Sequence, residues 1–549
     1  MEDEALRKAA AAGAARAAAR AAAVGGDGGS AGEGGKEGDS FVEDEYNTLQ
    51  RFPPFRRRQT RKEEEEGGGG EIGAAAEQEG EEAMISRALG AVLGSVVGDA
   101  AAMGVHWIYA PDELRKLWEA RRDEQSKKKK EEEQQKEDEE VRKKEKEEEK
   151  LQQTEDQITA APAPAPAPLI TTLKNNESEI GLEFYQPPRS PFFSYPHGRP
   201  SPYGEQTLLL LRSLHHDLGL RPSLYARAYA EQYGEGWEGY RDASTKGFLR
   251  RWYEEGGGRV AGARDWQANC FARLPPLVVG FGGGEEGVRE GAGGGERVML
   301  RAVEHATRVT QDDDRAVAWG RGAAGVLSRI VFEKQTIEMA IREVVVALRD
   351  PQTPLGEEEG RREGGREGLQ EEGAREEGGR EGGKEGGVDL KEEVARAFEQ
   401  VLFLGVEEEM RKDVCETVAR LGKNCHLPNS LQTALHAALF YTHGVSFSTK
   451  SSSLPPSLPS SLAPAAVTEQ QQQQQQQREE KQQLFKRAIR AAIREGGCCA
   501  SRAGWVGACL GGWMGIECVP EEWRREVSGF DRIKEEVEEI VRQRRRKAQ

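Results

Sequence analysis

The run Ala88-Leu-Gly-Ala-Val-Leu-Gly-Ser-Val-Val-Gly-Asp-Ala-Ala-Ala-Met-Gly-Val-His-Trp107 constrains the fold most: an apolar helix, dotted with glycine and alanine, that carries one carboxylate, Asp99, near its end. Residues without bulk let another backbone come close, so this segment predicts tight helix packing. A carboxylate among Gly, Ala and Val must find hydrogen-bond donors or a cation. Asp99 is therefore a candidate site residue, with a helix-end bond to a nearby amide as the ordinary structural alternative.

Much of the rest cannot build a core. Residues 1–82, 121–168, 282–297, 352–390 and 446–483 are runs of Glu/Lys, Glu/Gly/Arg, Gly, Ser/Pro and Gln, too poor in apolar surface to offset the entropy of ordering. Removing them leaves roughly 330 residues, the size of one large domain. The division expected is a disordered region over 1–82, a helical domain over 83–530 with low-complexity insertions at 121–168, 282–297, 352–390 and 446–483, and a charged C-terminal helix or tail over 531–549. Long insertions are tolerable because the entropy of loop closure grows slowly with length.

The formal charge of −17 lies mostly in these tracts: residues 1–82 hold 19 acids against 11 bases, and 356–390 hold 12 against 6. The remainder is close to neutral, which gives no footprint for nucleic acid. The seven cysteines (270, 415, 425, 498, 499, 509, 518) form no Cys-x-x-Cys pair, and their odd number argues against a secreted disulfide framework. A reducing compartment is expected, the cytoplasm first. Arg-rich clusters at 56–58 and 544–547 leave a nuclear location open, and the Ala-rich N-terminus an organellar one. No run reads as a membrane span, so no membrane partner is expected; the oligomeric state is left open.

Helical periodicity, with small or aliphatic residues at i, i+3 and i+4, marks 84–104, 205–218, 222–233, 299–309, 314–332, 335–349, 392–404, 410–421, 429–440, 482–494 and 500–515. No alternating strand pattern separates them. The fold class predicted is all-α, a single multi-helix globular domain, and the charged 121–150 tract reads as a solvated helix. Pro202, Pro428 and Gly496-Gly497 punctuate helix ends, where polar side chains can converge in a cleft.

Six blocks in order carry a resemblance: Leu93-Gly-Ser-Val-Val-Gly-Asp-Ala-Ala-Ala-Met-Gly-Val-His-Trp107; Pro202-Tyr-Gly-Glu-Gln-Thr; Gly239-Tyr-Arg-Asp-Ala-Ser-Thr-Lys-Gly247; Gln267-Ala-Asn-Cys-Phe-Ala-Arg-Leu-Pro-Pro-Leu277; Ala306-Thr-Arg-Val-Thr-Gln-Asp-Asp-Asp-Arg315; and Ala488 to Ala503, closed by Val519-Pro-Glu-Glu-Trp523. Together they resemble the ADP-ribosylglycohydrolase family, especially its crystallin J1-like branch. The resemblance implies an all-helical fold and, for active members, Mg²⁺-dependent cleavage of a glycosidic bond to ADP-ribose, with an ADP-ribose-like molecule or ADP-ribosylated substrate as partner.

Two-metal hydrolysis needs clustered carboxylates, because Mg²⁺ takes oxygen ligands in near-octahedral geometry. By resemblance, Asp99 and Glu205 are the candidate catalytic and metal residues, with Asp312 and Asp313 as further metal ligands. The Asp312–Asp314 run is also an ordinary helix N-cap. Where the family carries a Gly-Gly-Asp-Thr-Asp-Thr turn, this chain reads Gly-Gly-Cys-Cys-Ala-Ser over 496–501. Cys498 and Cys499 are soft ligands or reactive thiols in one reading and two small packed residues in the other. Weaker substrate-binding candidates are His106, Tyr203, Gln206, Arg273, Cys498, Ser501 and Arg502, the arginines as pyrophosphate clamps or interhelix pairs. His436 reads as a core histidine. Tyr185, Phe192, Phe193, Tyr195 and Tyr203 read as an aromatic wall for a flat ring, or as plain packing. Two functions stay open: metal-assisted hydrolysis of an ADP-ribosyl bond, and a non-hydrolysing, crystallin J1-like ligand-binding or structural protein.

Overall fold

The computed structural model describes residues 70–154, 181–217, 219–254, 262–283, 294–357, 389–408, 411–446 and 463–548. Among them the secondary structure is helical, with only two isolated bridges, Ala263 with Gln311 and Gln267 with His426. The order is α1 Gly70–Met103, α2 Pro111–Thr154, α3 Pro202–Asp217, α4 Pro222–Tyr233, α5 Ala243–Glu254, α6 Asn269–Ala272, α7 Leu274–Phe281, α8 Gly294–Thr310 and α9 Asp314–Phe332. It continues with α10 Ile337–Arg349, α11 Leu390–Gly405, α12 Val414–Leu421, α13 Asn429–Thr442, α14 Ala463–Arg494, α15 Cys499–Met514, α16 Glu521–Glu526 and α17 Phe530–Ala548.

Every periodic segment of the sequence falls on a helix. The helices without a periodic signal are short, proline-led or, as in α17, dense in charge. In Leu274-Pro-Pro-Leu-Val-Val-Gly-Phe281 the prolines occupy the first turn, where their missing N–H groups cost nothing, and an all-apolar octet has no polar face to reveal a period.

Two compact units divide the chain, Ala110–Leu182 and the remainder. The first contains α2, whose described side chains are almost all exposed and joined by i, i+4 pairs such as Lys128–Glu124 and Lys143–Glu139. Such pairs support a solvated helix.

The second unit is built on α1 and α15. Gly90, Gly94 and Gly98 of α1 face Gly511, Gly507 and Ala503 of α15 so closely that a Cβ on any of the three glycines would overlap a backbone carbonyl of the other helix. Helix α9 lies against this pair, α13 and α14 flank α15, and α10 pairs with α11. The stretch Gly80–Met103, of mean hydropathy 1.3, is long and apolar enough to cross a membrane, a match absent from the sequence reading. With 78% of its window buried inside the molecule, it is accounted for as a core helix.

Helices run into several low-complexity tracts. α1 begins at Gly70 and α14 at Ala463, while Leu355, in a turn after α10, is buried. The charged C-terminal segment is a helix that packs: Ile533, Val537, Ile540 and Val541 of α17 are buried, against α1, α3 and α7. Spaced four and three apart, they form one apolar stripe inside a highly charged sequence. The disorder expected for 1–69, 155–168, 284–293, 358–388 and 447–462 lies outside the described residues.

Candidate functional site

Asp99 sits one turn from the end of α1, 4% exposed. The chain entering α3 meets it: the Ser201 N–H donates to Oδ1 at 2.7 Å and the Ser201 hydroxyl to Oδ2 at 2.5 Å. Gly204 makes this possible, because a Cβ there would overlap Asp99 Oδ1. Burial raises the Asp99 carboxyl to about 7, against the pull of the Ser201 bonds, with nearby Glu205 adding to the rise. A cavity of about 10 Å³ adjoins it, walled by Tyr203, Thr207, Ser501 and Trp505, scarcely room for one water. Trp505 Nε1 has no hydrogen-bond partner.

Glu205, one turn into α3, is held from two sides: Tyr195 donates to Oε2 at 2.8 Å and Arg199 Nε to Oε1 at 2.7 Å. The Arg199 guanidinium also lies over the Tyr195 ring, 4.1 Å from its centre, a cation–π contact that fixes its orientation. Burial still moves the Glu205 carboxyl above its usual range.

Gln206 belongs to a second network. Its amide donates to Asp242 Oδ2 at 2.6 Å, and Asn269 Nδ2 donates to the same oxygen at 2.7 Å and to Gln206 Oε1 at 3.0 Å. Asp242 Oδ1 accepts from the Ser244 hydroxyl and the Thr245 N–H. Arg273 is buried and fully engaged with Asn269 O, Tyr225 OH, Thr310 Oγ1 and Gln311 Oε1, which leaves it no free edge for pyrophosphate. Gln311 Nε2 reaches Asp265, whose carboxyl burial raises to about 6. Asp242, Asp265 and Asn269 were not singled out in the sequence, although Asp242 and Asn269 stand inside the quoted motif blocks; nothing local marks either as buried.

Arg502, 1% exposed, donates to the carbonyls of Ala492 and Gly496. It caps the C-terminal end of α14, so its charge serves the interhelix reading. His106 is buried, stacked on Trp107 at 4.3 Å, and its Nδ1 accepts from the Ala500 N–H. That bond assigns the proton to Nε2, which has no partner. Burial holds the ring neutral, well below its usual titration range. His436 packs in the core with Nε2 against Thr417 and the Leu404 carbonyl.

Asp312 and Asp313 do not join Asp99. Asp313 caps α9, accepting from the N–H groups of Arg315 and Ala316, while Asp312 and Asp314 pair with Arg308 at the surface. The Asp313→Ala substitution is expected to lower stability by about 1 kcal/mol, the ordinary value of a cap, read as an earlier urea midpoint; ligand binding should not change.

The aromatic wall forms with a partly different membership. Phe193 lies tilted against Tyr195, ring centres 4.5 Å apart, and Trp107 and Tyr240 join it with rings 4.8 Å apart and Phe192 beside them. Phe192 is 55% exposed. Tyr185 is buried against Gly104 instead.

The donor set does not fit Mg²⁺. Asp99 accepts from Ser201 on both oxygens, Glu205 is neutralised by Arg199, and the turn at 496–499 offers two thiols, soft ligands ill-matched to Mg²⁺. Among the described residues no three His, Cys, Asp or Glu side chains stand together as a metal would require. Burial also pushes the Cys498 and Cys499 thiols up, Cys499 to about 12, which favours the reading of two packed thiols at this turn.

The profile of the ADP-ribosylglycohydrolase family matches residues 80–549. Crystallin J1A of Tripedalia cystophora is 21% identical over 467 residues, covering 83% of this chain and 96% of that protein. A solved structure described as an ADP-ribosylglycohydrolase-related protein complex superposes with a TM-score of 0.41 at 14% identity, over 84% of this chain and 99% of that one. From the match of the family profile over most of its length, the chain belongs to the ADP-ribosylglycohydrolase family.

Proposed function

We propose that this protein uses the family fold as a metal-independent binding site for an ADP-ribose-like molecule and does not hydrolyse a glycosidic bond. The observation that carries the reading is that the two carboxylates sit in separate pairings, Asp99 on the N–H and hydroxyl of Ser201 and Glu205 on Tyr195 and Arg199, with no cluster of three metal-ligating side chains among the described residues. Arg199 supports it, because a guanidinium on Glu205 supplies the positive charge that a metal would bring elsewhere. The face formed by Trp107, Phe192, Phe193 and Tyr240 supplies stacking area for a flat ring such as adenine. Metal-assisted hydrolysis through Asp99 and Glu205, with Asp312 and Asp313 completing the set, is the reading this one displaces.

Calorimetric titration separates the two. ADP-ribose is expected to bind without added metal and to weaken roughly fivefold in Phe192→Ala, the loss of one stacking partner being worth about 1 kcal/mol. Mg²⁺, Mn²⁺ and Zn²⁺ are expected to give no stoichiometric heat. Stoichiometric Mg²⁺ binding that disappears in Glu205→Ala, or ADP-ribose binding only in the presence of a metal, would overturn the proposal.

A further inference from the structure

We propose that Cys425 and Cys498 form an oxidisable thiol pair, in which Cys425 attacks a hydroperoxide and Cys498 closes the disulfide. Two loops bring them together. The Cys498 N–H donates to the Lys423 carbonyl at 2.8 Å, Trp107 N–H to Gly497 O and Gly497 N–H to Ile108 O, each at 2.8 Å, and Ala268 N–H to Cys425 O at 2.9 Å. The backbone on both sides of the pair is therefore laced to a common frame, and Gly497, at φ +60°, is pressed onto Lys423. On this frame Cys498 lies beside Cys425, its thiol donating to the Tyr203 hydroxyl at 3.5 Å, and Tyr203 also neighbours Cys425.

The two thiols have different surroundings. Cys425 is half-buried, and Trp107 Nε1–H donates to its sulfur at 3.0 Å, with Tyr109 OH at 3.9 Å. Donors aimed at a sulfur favour the thiolate. The Cys498 bond, before those of Tyr203, Trp107 and Tyr109, lowers the Cys425 thiol to about 7, against burial. Cys498 is fully buried, with its sulfur 3.0 Å from Ser501 Oγ, and burial keeps it protonated. A half-buried thiolate beside a fully buried thiol is the arrangement of an attacking and a resolving cysteine.

The chemistry balances. The Cys425 thiolate attacks one oxygen of the hydroperoxide; the O–O bond breaks, the sulfenic acid forms and the other oxygen leaves with a proton as water or alcohol. Cys498, giving up its proton, attacks the sulfenic sulfur and water departs, leaving one disulfide and two oxidised sulfurs for one peroxide reduced. The bridge ties the 422–428 loop to the start of α15, beside Tyr203 and Trp107. Oxidation would thus stiffen one wall of the cleft, whether or not the ligand is ADP-ribose-like.

The full-length protein is treated with hydrogen peroxide at neutral pH and mapped by mass spectrometry without reduction. The expected result is a Cys425–Cys498 cross-linked peptide that dithiothreitol removes, with Cys425 reacting roughly tenfold faster than half-buried Cys415, whose thiol burial and neighbouring Glu495 push up to about 12. In Cys498→Ser, Cys425 is expected to be trapped by dimedone as the sulfenic acid. In Trp107→Phe, Cys425 should react more slowly and Cys415 unchanged. Oxidation of Cys425 no faster than Cys415, or a sulfenic acid in the unsubstituted protein that never bridges to Cys498, would overturn the proposal.

Discussion

Gly94→Val is expected to destabilise the protein by about 3 kcal/mol, the upper end for overpacking a tight interface, and Gly94→Ala by somewhat less. The sign is not obvious, since alanine is the better helix former by about 1 kcal/mol. It is decided by what the new Cβ meets: the Gly507 carbonyl of α15, a backbone atom that cannot rotate away as a side chain would. The two helices must separate, and Gly90 and Gly98 lose their contacts with them. Gly80, in the same helix, has nothing within 4 Å. Gly80→Ala should therefore leave stability unchanged or raise it by up to about 1 kcal/mol. Urea denaturation of the three variants checks this; equal effects at positions 80 and 94 would contradict the close-contact account.

Asp99→Asn is expected to remove a large share of the pH dependence of stability. The Asp99 carboxyl is raised from 3.8 to about 7 by burial, so the folded state binds a proton that the unfolded chain has released. The stability Asp99 confers is complete below about pH 4, declines across the interval between the two values and is lost above about pH 7, a difference on the order of 4 kcal/mol at 1.36 kcal/mol per unit. Asparagine keeps the arrangement: its carbonyl accepts from the Ser201 N–H and its amide donates to the Ser201 hydroxyl, standing in for the protonated acid. Denaturation midpoints of both proteins at about pH 5 and about pH 8 provide the comparison. The variant should be the flatter of the two and the more stable at the higher pH, whereas equal slopes would mean that Asp99 titrates normally.

The sequence determined the helices, because a periodic apolar face is a local pattern and each of 299–309, 314–332 and 335–349 carries one. It marked Asp99 as a residue needing donors, and it marked the break at Gly496-Gly497, whose φ angles of +64° and +60° are those glycine tolerates. The ordered blocks were legible enough to point to the family.

Partnership was not legible. Asp99 reads equally as a metal ligand or as an acceptor until Ser201, 102 positions away, is seen on both its oxygens. Arg273 and Arg502 read as pyrophosphate clamps or as interhelix pairs until backbone carbonyls and buried hydroxyls are found around them. Cys425 drew no attention beside the more conspicuous Cys498-Cys499, yet it is the thiol that Trp107, Tyr109 and Tyr203 surround. Local pattern follows from the chain's own periodicity, so a sequence carries it. Which donor meets which acceptor depends on how helices far apart in the chain are packed, and the tertiary structure alone decided that.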